Sequence, residues 1–235
     1  MMEARSTFSR PAEFTEQRLL NAILDGTFPI HSALPPEREL ALSLGVTRPT
    51  LREALQRLAR EGWLRIHQGK PTLVRDYLRE GNLLILNTLA RQPQTLTPDF
   101  VSKLLEARVS LAPAYTRLAV QNAPKELAVY LSRLVTLPDK PEDFAQADQQ
   151  LHHELTILSG NPVFTLFLNS FVELSLTAGV LYFASKPARD YSREFYQKLA
   201  EATLREDARG AETLTREVMQ TSLAFWQAQA PKQEE

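Results

Sequence analysis

Residues 37–74 read ERELALSLGVTRPTLREALQRLAREGWLRIHQGKPTLV, and this stretch decides the fold. The spacing predicts a short helix over 37–44. Pro36 suits its first turn, and Glu37 and Glu39 complement the positive end of its dipole. Gly45-Val46 is a tight turn. A second helix runs to about residue 61, with Leu51, Leu55 and Leu58 on one face. Its N-cap is Thr47, or Thr50 with Glu53 completing a capping box, and Gly62 stops it. Two short apolar runs follow, Trp63-Leu64-Arg65-Ile66 and Pro71-Thr72-Leu73-Val74. Between them His67-Gln68-Gly69-Lys70 reads as the turn of a β-hairpin.

Working outward, residues 14–27 form a helix with Leu19, Leu20, Ile23 and Leu24 on one face and Gly26 as its stop. Three helices and a two-stranded wing make a winged helix-turn-helix. Arg48 and Arg52 lie four apart near the start of the third helix, away from its leucine face. Helix-turn-helix proteins carry that end into the major groove, where an Arg fork matches O6 and N7 of guanine. Thr47 and Thr50 can reach phosphate or a thymine methyl, and Arg38 is placed for backbone or base contact. At the wing tip Gly69 lets backbone approach a duplex, and Lys70 or His67 can meet phosphate. Arginine pairs alone would as readily solvate an amphipathic helix. Helix, turn, second helix and hairpin together favour DNA.

The chain has 235 residues with 27 Lys plus Arg against 28 Asp plus Glu, a net charge of −1 that hides an asymmetry. Residues 38–79 carry 9 basic and 4 acidic side chains, whereas residues 80–235 carry 15 and 19. Only the first half is therefore suited to a polyanion. A hydrophobic share of 43% provides for a buried core and argues against global disorder. The absence of cysteine removes disulfides, thiolate metal sites and Cys nucleophiles, and fits a reducing compartment. No nucleophile elbow, phosphate-cradling glycine loop or dinucleotide glycine pattern supports an enzyme. The start of the chain is polar and lacks a secretory apolar run.

From about Arg75 the pattern turns helical throughout: 76–91, 98–121, 124–136, 141–159, 163–184, 188–208 and 210–228. Breaks fall at Pro93, Pro124, residues 137–141, Gly160-Asn161-Pro162, Pro187 and Gly210. Residues 165–184 have the length of a membrane span with Glu173 as their sole charge. Asn169, Ser170, Ser175 and Thr177 argue instead for a helix buried in a bundle. The tail 231–235 is expected to fray. The fold class is mostly α: an N-terminal winged helix-turn-helix plus a C-terminal all-α, effector-binding helical bundle.

Pro36-Glu37-Arg38-Glu39-Leu40, Gly45-Val46-Thr47-Arg48, Leu51-Arg52-Glu53-Ala54-Leu55 and Leu58-Ala59-Arg60-Glu61-Gly62-Trp63-Leu64 resemble the GntR family of winged-helix regulators. Gly69-Lys70-Pro71-Thr72, Ser159-Gly160-Asn161-Pro162, Tyr182-Phe183-Ala184 and Phe195-Tyr196-Gln197-Lys198-Leu199 resemble its fatty-acid-responsive branch. The resemblance covers nearly the whole chain. It implies DNA contacts at Arg38, Thr47, Arg48, Thr50, Arg52 and Gly69, beside the Lys70 contact read from the wing itself. Two positions depart: the branch has Thr at Pro49 and His at Gln68, with His67 here one place earlier.

The resemblance also implies a cytoplasmic homodimer that represses fatty-acid degradation genes, activates synthesis genes and leaves its operator when long-chain acyl-CoA binds. The expected organisation is a DNA-binding domain over 1–75, a linker over 76–81 and an effector and dimerisation domain over 82–230. Leu105, Arg108, Tyr182, Tyr196, Ser222 and Trp226 match its ligand pocket, and Met219 stands where the branch has Gly. No cofactor, membrane partner or catalytic residue is implied. Many family members instead bind a metal through one Asp and three His. Asp148 and His152 match the first part of that pattern, but no His follows residue 153, so they read as a local hydrogen-bonded pair rather than metal ligands. The alternative is a regulator answering to a small carboxylate, with or without metal at that pair.

Overall fold

A computed structural model describes residues 11–92, 95 and 97–229. The expected break at Pro93 and the tail 231–235 lie outside the described residues. The chain divides into two compact units between Ile85 and Leu86.

The first unit opens with α1 (Pro11–Leu24), α2 (Glu37–Leu44) and α3 (Arg48–Glu61). Helix α1 starts three residues earlier than its apolar face predicts. Pro11 fits a first turn, and the Thr15 hydroxyl donates back to the Pro11 carbonyl at 2.7 Å. Leu19, Leu20 and Ile23 meet Leu40, Leu51, Leu55 and Leu58 in one buried core. Thr47 is the N-cap of α3, since its Oγ1 accepts from the Thr50 N–H. Gly45 and Gly62 close α2 and α3 in the left-handed region, at φ 69° and 102°.

Strands β1 (Leu64–Arg65) and β2 (Leu73–Val74) pair antiparallel, Leu64 opposite Val74. A contribution not visible in the sequence comes from Ala33, which bridges Leu73. The flanking His31 N–H donates to Val74 O and the Leu34 N–H to Thr72 O. The expected helix over 76–91 is broken. Helix α4 (Tyr77–Glu80) is one turn, Gly81 adopts extended backbone, and α5 (Leu84–Ala90) restarts the helix. Residues 76–82 fold back on the end of α3. Tyr77 lies against the buried Trp63 ring at 4.5 Å between centroids, and Asn82 donates to the Arg60 carbonyl. A Cβ on Gly62 would stand 2.8 Å from the Gly81 Cα, so glycine is required at this approach.

The second unit is helical: α6 (Pro98–Asn122), α7 (Pro124–Ser132) with a 3-10 turn over Arg133–Thr136, α8 (Pro141–Leu158), α9 (Pro162–Asn169), α10 (Val172–Phe183), α11 (Lys186–Leu204) and α12 (Ala208–Gln229). Helix α6 pairs along its length with α12, and α8 with α10. Phe144, Leu151, Leu155, Phe195 and Leu199 are buried at the centre. The single helix expected over 163–184 is two helices bent by 70° at residues 170–171. No single helix among the described residues is long and apolar enough to cross a membrane. The pattern over 188–208 also ends early, because Glu206 takes a left-handed φ of 54°.

Candidate functional sites

On the first unit, the start of α3 forms an exposed basic surface. The Arg48 and Arg52 side chains are 58% and 59% exposed, which leaves both forks open to a ligand. Thr47 is exposed and Thr50 half-buried, their hydroxyls 2.8 Å apart. Arg38 is exposed in the first turn of α2. Arg38, Thr47, Arg48, Thr50 and Arg52 thus occupy the adjoining N-terminal ends of α2 and α3. At the wing, the Lys70 N–H donates to the His67 carbonyl and Gly69 sits at φ 71°, so residues 67–70 form a tight exposed turn. Gly69 and Lys70 hold its tip.

Sequence reasoning missed one member of this surface. Glu37 reaches from the first turn of α2 to α3, and its Oε2 accepts from Arg52 Nε at 2.7 Å. The same oxygen lies 3.8 Å from Arg48 Nη2. The fifteen-residue separation across a turn left no periodic signal for this contact. Other cations of the unit are held differently. Arg57 pairs with Glu53 and Glu16, and Arg65 and Arg75 both meet Glu80.

In the second unit a polar cluster sits inside the apolar bundle. Arg108 on α6 donates to Asp148 Oδ2 on α8 at 2.7 Å. The Tyr196 hydroxyl on α11 donates to Asp148 Oδ1 at 3.3 Å. Tyr115 and His152 Nδ1 lie 2.6 Å apart, with either able to donate. Asp148 and His152 do not form the expected hydrogen bond: they face each other at 3.8 Å, each committed to another helix. His152 Nε2 is buried without a partner, as is the Tyr182 hydroxyl, with Ser222 nearby but outside bonding geometry. Burial would raise the Asp148 pKa, but the Arg108 cation together with the hydrogen bonds from Arg108 and Tyr196 and the neighbouring His152 outweighs it and holds the carboxyl below its usual range. Burial, reinforced by Arg108, pushes His152 down to about 3, so it is neutral near pH 7. Burial pushes Tyr182 up to about 12.

A narrow cavity of about 30 Å³ lies beside this cluster. Leu105, Arg108, Tyr182, Ser222 and Met219 line it. Four of the six expected ligand residues are thereby brought together. Trp226 packs against Leu105 and Val101 and donates from Nε1 to the Pro98 carbonyl. Tyr196 faces another way. It lines a separate groove between α7 and α11 and meets the cavity lining at Asp148 and Phe195. A second, equally narrow space of about 20 Å³, walled by Tyr115, Phe164, Phe167 and Phe171, shares Leu104 and Arg108 with the first. It is built by the 70° bend the sequence did not disclose. Among the described residues no group of three or more His, Asp or Glu side chains is placed to hold a metal ion.

Comparison with known proteins supplies a family. Residues 11–74 match the gntR family of bacterial regulatory proteins, and residues 75–233 match the FadR C-terminal domain. A protein of Shewanella pealeana named fatty acid metabolism regulator protein is 41% identical over 218 residues, covering 93% of this chain and 91% of that one. Another of that name, from a Shewanella sp., is 43% identical over 189 residues, covering 80% and 78%. Among solved structures, Lar, described as controlling expression of the Listeria monocytogenes agr system, aligns with a TM-score of 0.53 at 18% identity. It covers 97% of this chain and all of that one, and shows likeness of fold alone.

Proposed function

The chain belongs to the gntR family of bacterial regulatory proteins and carries that family's FadR C-terminal domain, and from this we propose an acyl-CoA-responsive regulator of fatty acid metabolism. As a family member it is a transcription regulator and not an enzyme. In this reading a cytoplasmic homodimer presents two winged heads to a two-fold-related operator. Arg48 and Arg52 read bases, Thr47, Thr50, Gly69 and Lys70 fix register on the backbone, and Arg38 adds a contact beside them. Long-chain acyl-CoA in the bundle lowers DNA affinity. Degradation genes are then derepressed, and synthesis genes lose activation.

The observation that supports this best is the apolar cavity bordered by Arg108, Tyr182 and Ser222. An acyl chain gains roughly 0.8 kcal/mol per buried methylene, so a dozen methylenes supply roughly 10 kcal/mol before the costs of binding. Leu105 and the aromatic walls beyond Leu104 offer such a chain an apolar lining, and the narrow spaces must widen to admit it. The unpartnered Tyr182 hydroxyl on the cavity wall suits the thioester end better than more hydrocarbon. Trp226 offers a flat apolar body for an amphipathic ligand. The buried Met219 thioether narrows the cavity relative to glycine. Acyl-CoA must bind the DNA-incompetent arrangement more tightly, or no shift follows. The test is affinity for DNA upstream of fatty-acid degradation genes at fixed salt, with and without oleoyl-CoA. A weakening of tenfold or more, absent with coenzyme A alone, is expected. Unchanged affinity at saturating oleoyl-CoA refutes the effector assignment.

A further inference from the structure

We propose that Glu37 is a positioning residue for sequence discrimination, holding the Arg52 guanidinium by its Nε edge so that its terminal fork is presented in one orientation. The inference rests on the reading of α3 as the DNA-contacting helix. It adds a residue that reading does not contain.

The geometry carries the argument. Glu37 Oε2 takes the Nε proton of Arg52 at 2.7 Å. Arg has five N–H donors, so four remain, including the Nη pair at the tip. That pair is the edge that can grip O6 and N7 of a guanine. The Arg48 Nη2 stands 3.8 Å from the same oxygen, so one carboxylate restrains both forks on the first turns of α3.

Magnitudes favour a recognition role over a stability role. Both arginines are more than half exposed and Glu37 is about one-third exposed. An ion pair this wet contributes at most about 1 kcal/mol to folding. A carboxylate set among basic groups meant for phosphate also opposes DNA in general. What it gives in return is order. A free Arg side chain must surrender rotamer freedom at the interface, whereas a pinned one has already done so. Glu37 therefore exchanges general affinity for selectivity.

The test uses the full-length protein. Wild-type protein first selects a preferred site from a randomised duplex library. Binding of that site, and of versions with single base pairs replaced, is then measured at one salt concentration for wild type, Glu37→Gln, Glu39→Gln and Arg52→Ala. Glu39→Gln removes the same charge from the same end of α2. Urea midpoints confirm that each variant is folded. Glu37→Gln is expected to bind unrelated duplex more tightly and to lose about tenfold in discrimination at the base pair that Arg52→Ala also stops distinguishing. Glu39→Gln is expected to keep wild-type discrimination. Full discrimination in Glu37→Gln beside its loss in Arg52→Ala overturns the proposal alone, as does an equal loss in Glu39→Gln. Full discrimination in Arg52→Ala, or no site selected by wild type, overturns the DNA reading of α3 and the proposal with it.

Discussion

The protein uses the same pair of groups, a guanidinium and a carboxylate, in two opposite ways. Arg52–Glu37 lies on the winged head with its arginine more than half in water, whereas Arg108–Asp148 lies within the bundle at 22% and 10% exposure. Both close at 2.7 Å. Distance therefore does not distinguish them, and dielectric does. In water the attraction is largely offset by hydration, so the pair adds little to folding even while it orients the Arg52 fork. Inside the bundle each ion has given up its water, so neither can easily lose the other. The head leaves its arginine tips open to a further partner, and the bundle closes its charges beside its cavity.

The comparison breaks most visibly at Asp148. Asp148→Ala leaves Arg108 buried without its counter-ion and is expected to cost about 3 kcal/mol, read from urea denaturation. Next comes the pH response. His152 is folded in its neutral form with a pKa of about 3, against an ordinary value of 6.5. A depressed folded value means stability is fully present above pH 6.5 and drains as pH falls toward 3. Asp148, also depressed, adds loss of the same sign only below its ordinary carboxylate range. Between pH 7 and pH 5 the histidine alone costs roughly 2 kcal/mol. His152→Gln is expected to flatten that dependence in paired denaturation curves, and an unchanged slope would contradict the buried-neutral assignment.

On the head the effects shrink. Thr47→Ala removes the cap of α3 and is expected to cost about 1 kcal/mol, seen as a lower urea midpoint with the helical circular dichroism of the native state retained. Smallest of all, Glu37→Gln should shift folding stability by less than about 1 kcal/mol in the same assay. A large loss there would mean the surface pair is a structural brace after all.

The same contrast explains what could be read from the sequence. The head is written in short-range signals: the Thr47 cap, glycines at 45 and 62 that must turn left-handed, and a hairpin closed around Gly69. Each acts within a few residues, so sequence alone placed α2, α3 and the wing. The bundle is written in long-range ones. Arg108 finds Asp148 forty residues away, and Tyr196 reaches it from forty-eight. The four-residue spacing of Asp148 and His152 suggested a pair, yet each found better partners on other helices. Residues 163–184 are mainly apolar, and their few polar residues keep no clear helical period, so the pattern could not announce a bend and the aromatic space behind it stayed hidden. Of the site itself, Leu105, Arg108, Tyr182 and Ser222 were brought to one cavity, while Glu37, legible only as a helix-dipole partner, proved to touch the residue the DNA reading depends on.

The close approach of Gly62 and Gly81 has a mechanical corollary. The strap that leaves the wing does not hang free; it is stitched to the rear of α3 by Trp63 against Tyr77 and by Asn82 on the Arg60 carbonyl. Along α3 that seam at Arg60 lies about 18 Å from Arg48 and about 12 Å from Arg52. A tug on the chain near Ile85 would thus act on the butt of a rigid rod whose other end carries Arg48 and Arg52. A tilt of about ten degrees there would move those two positions by roughly 3 and 2 Å, the scale of a hydrogen bond.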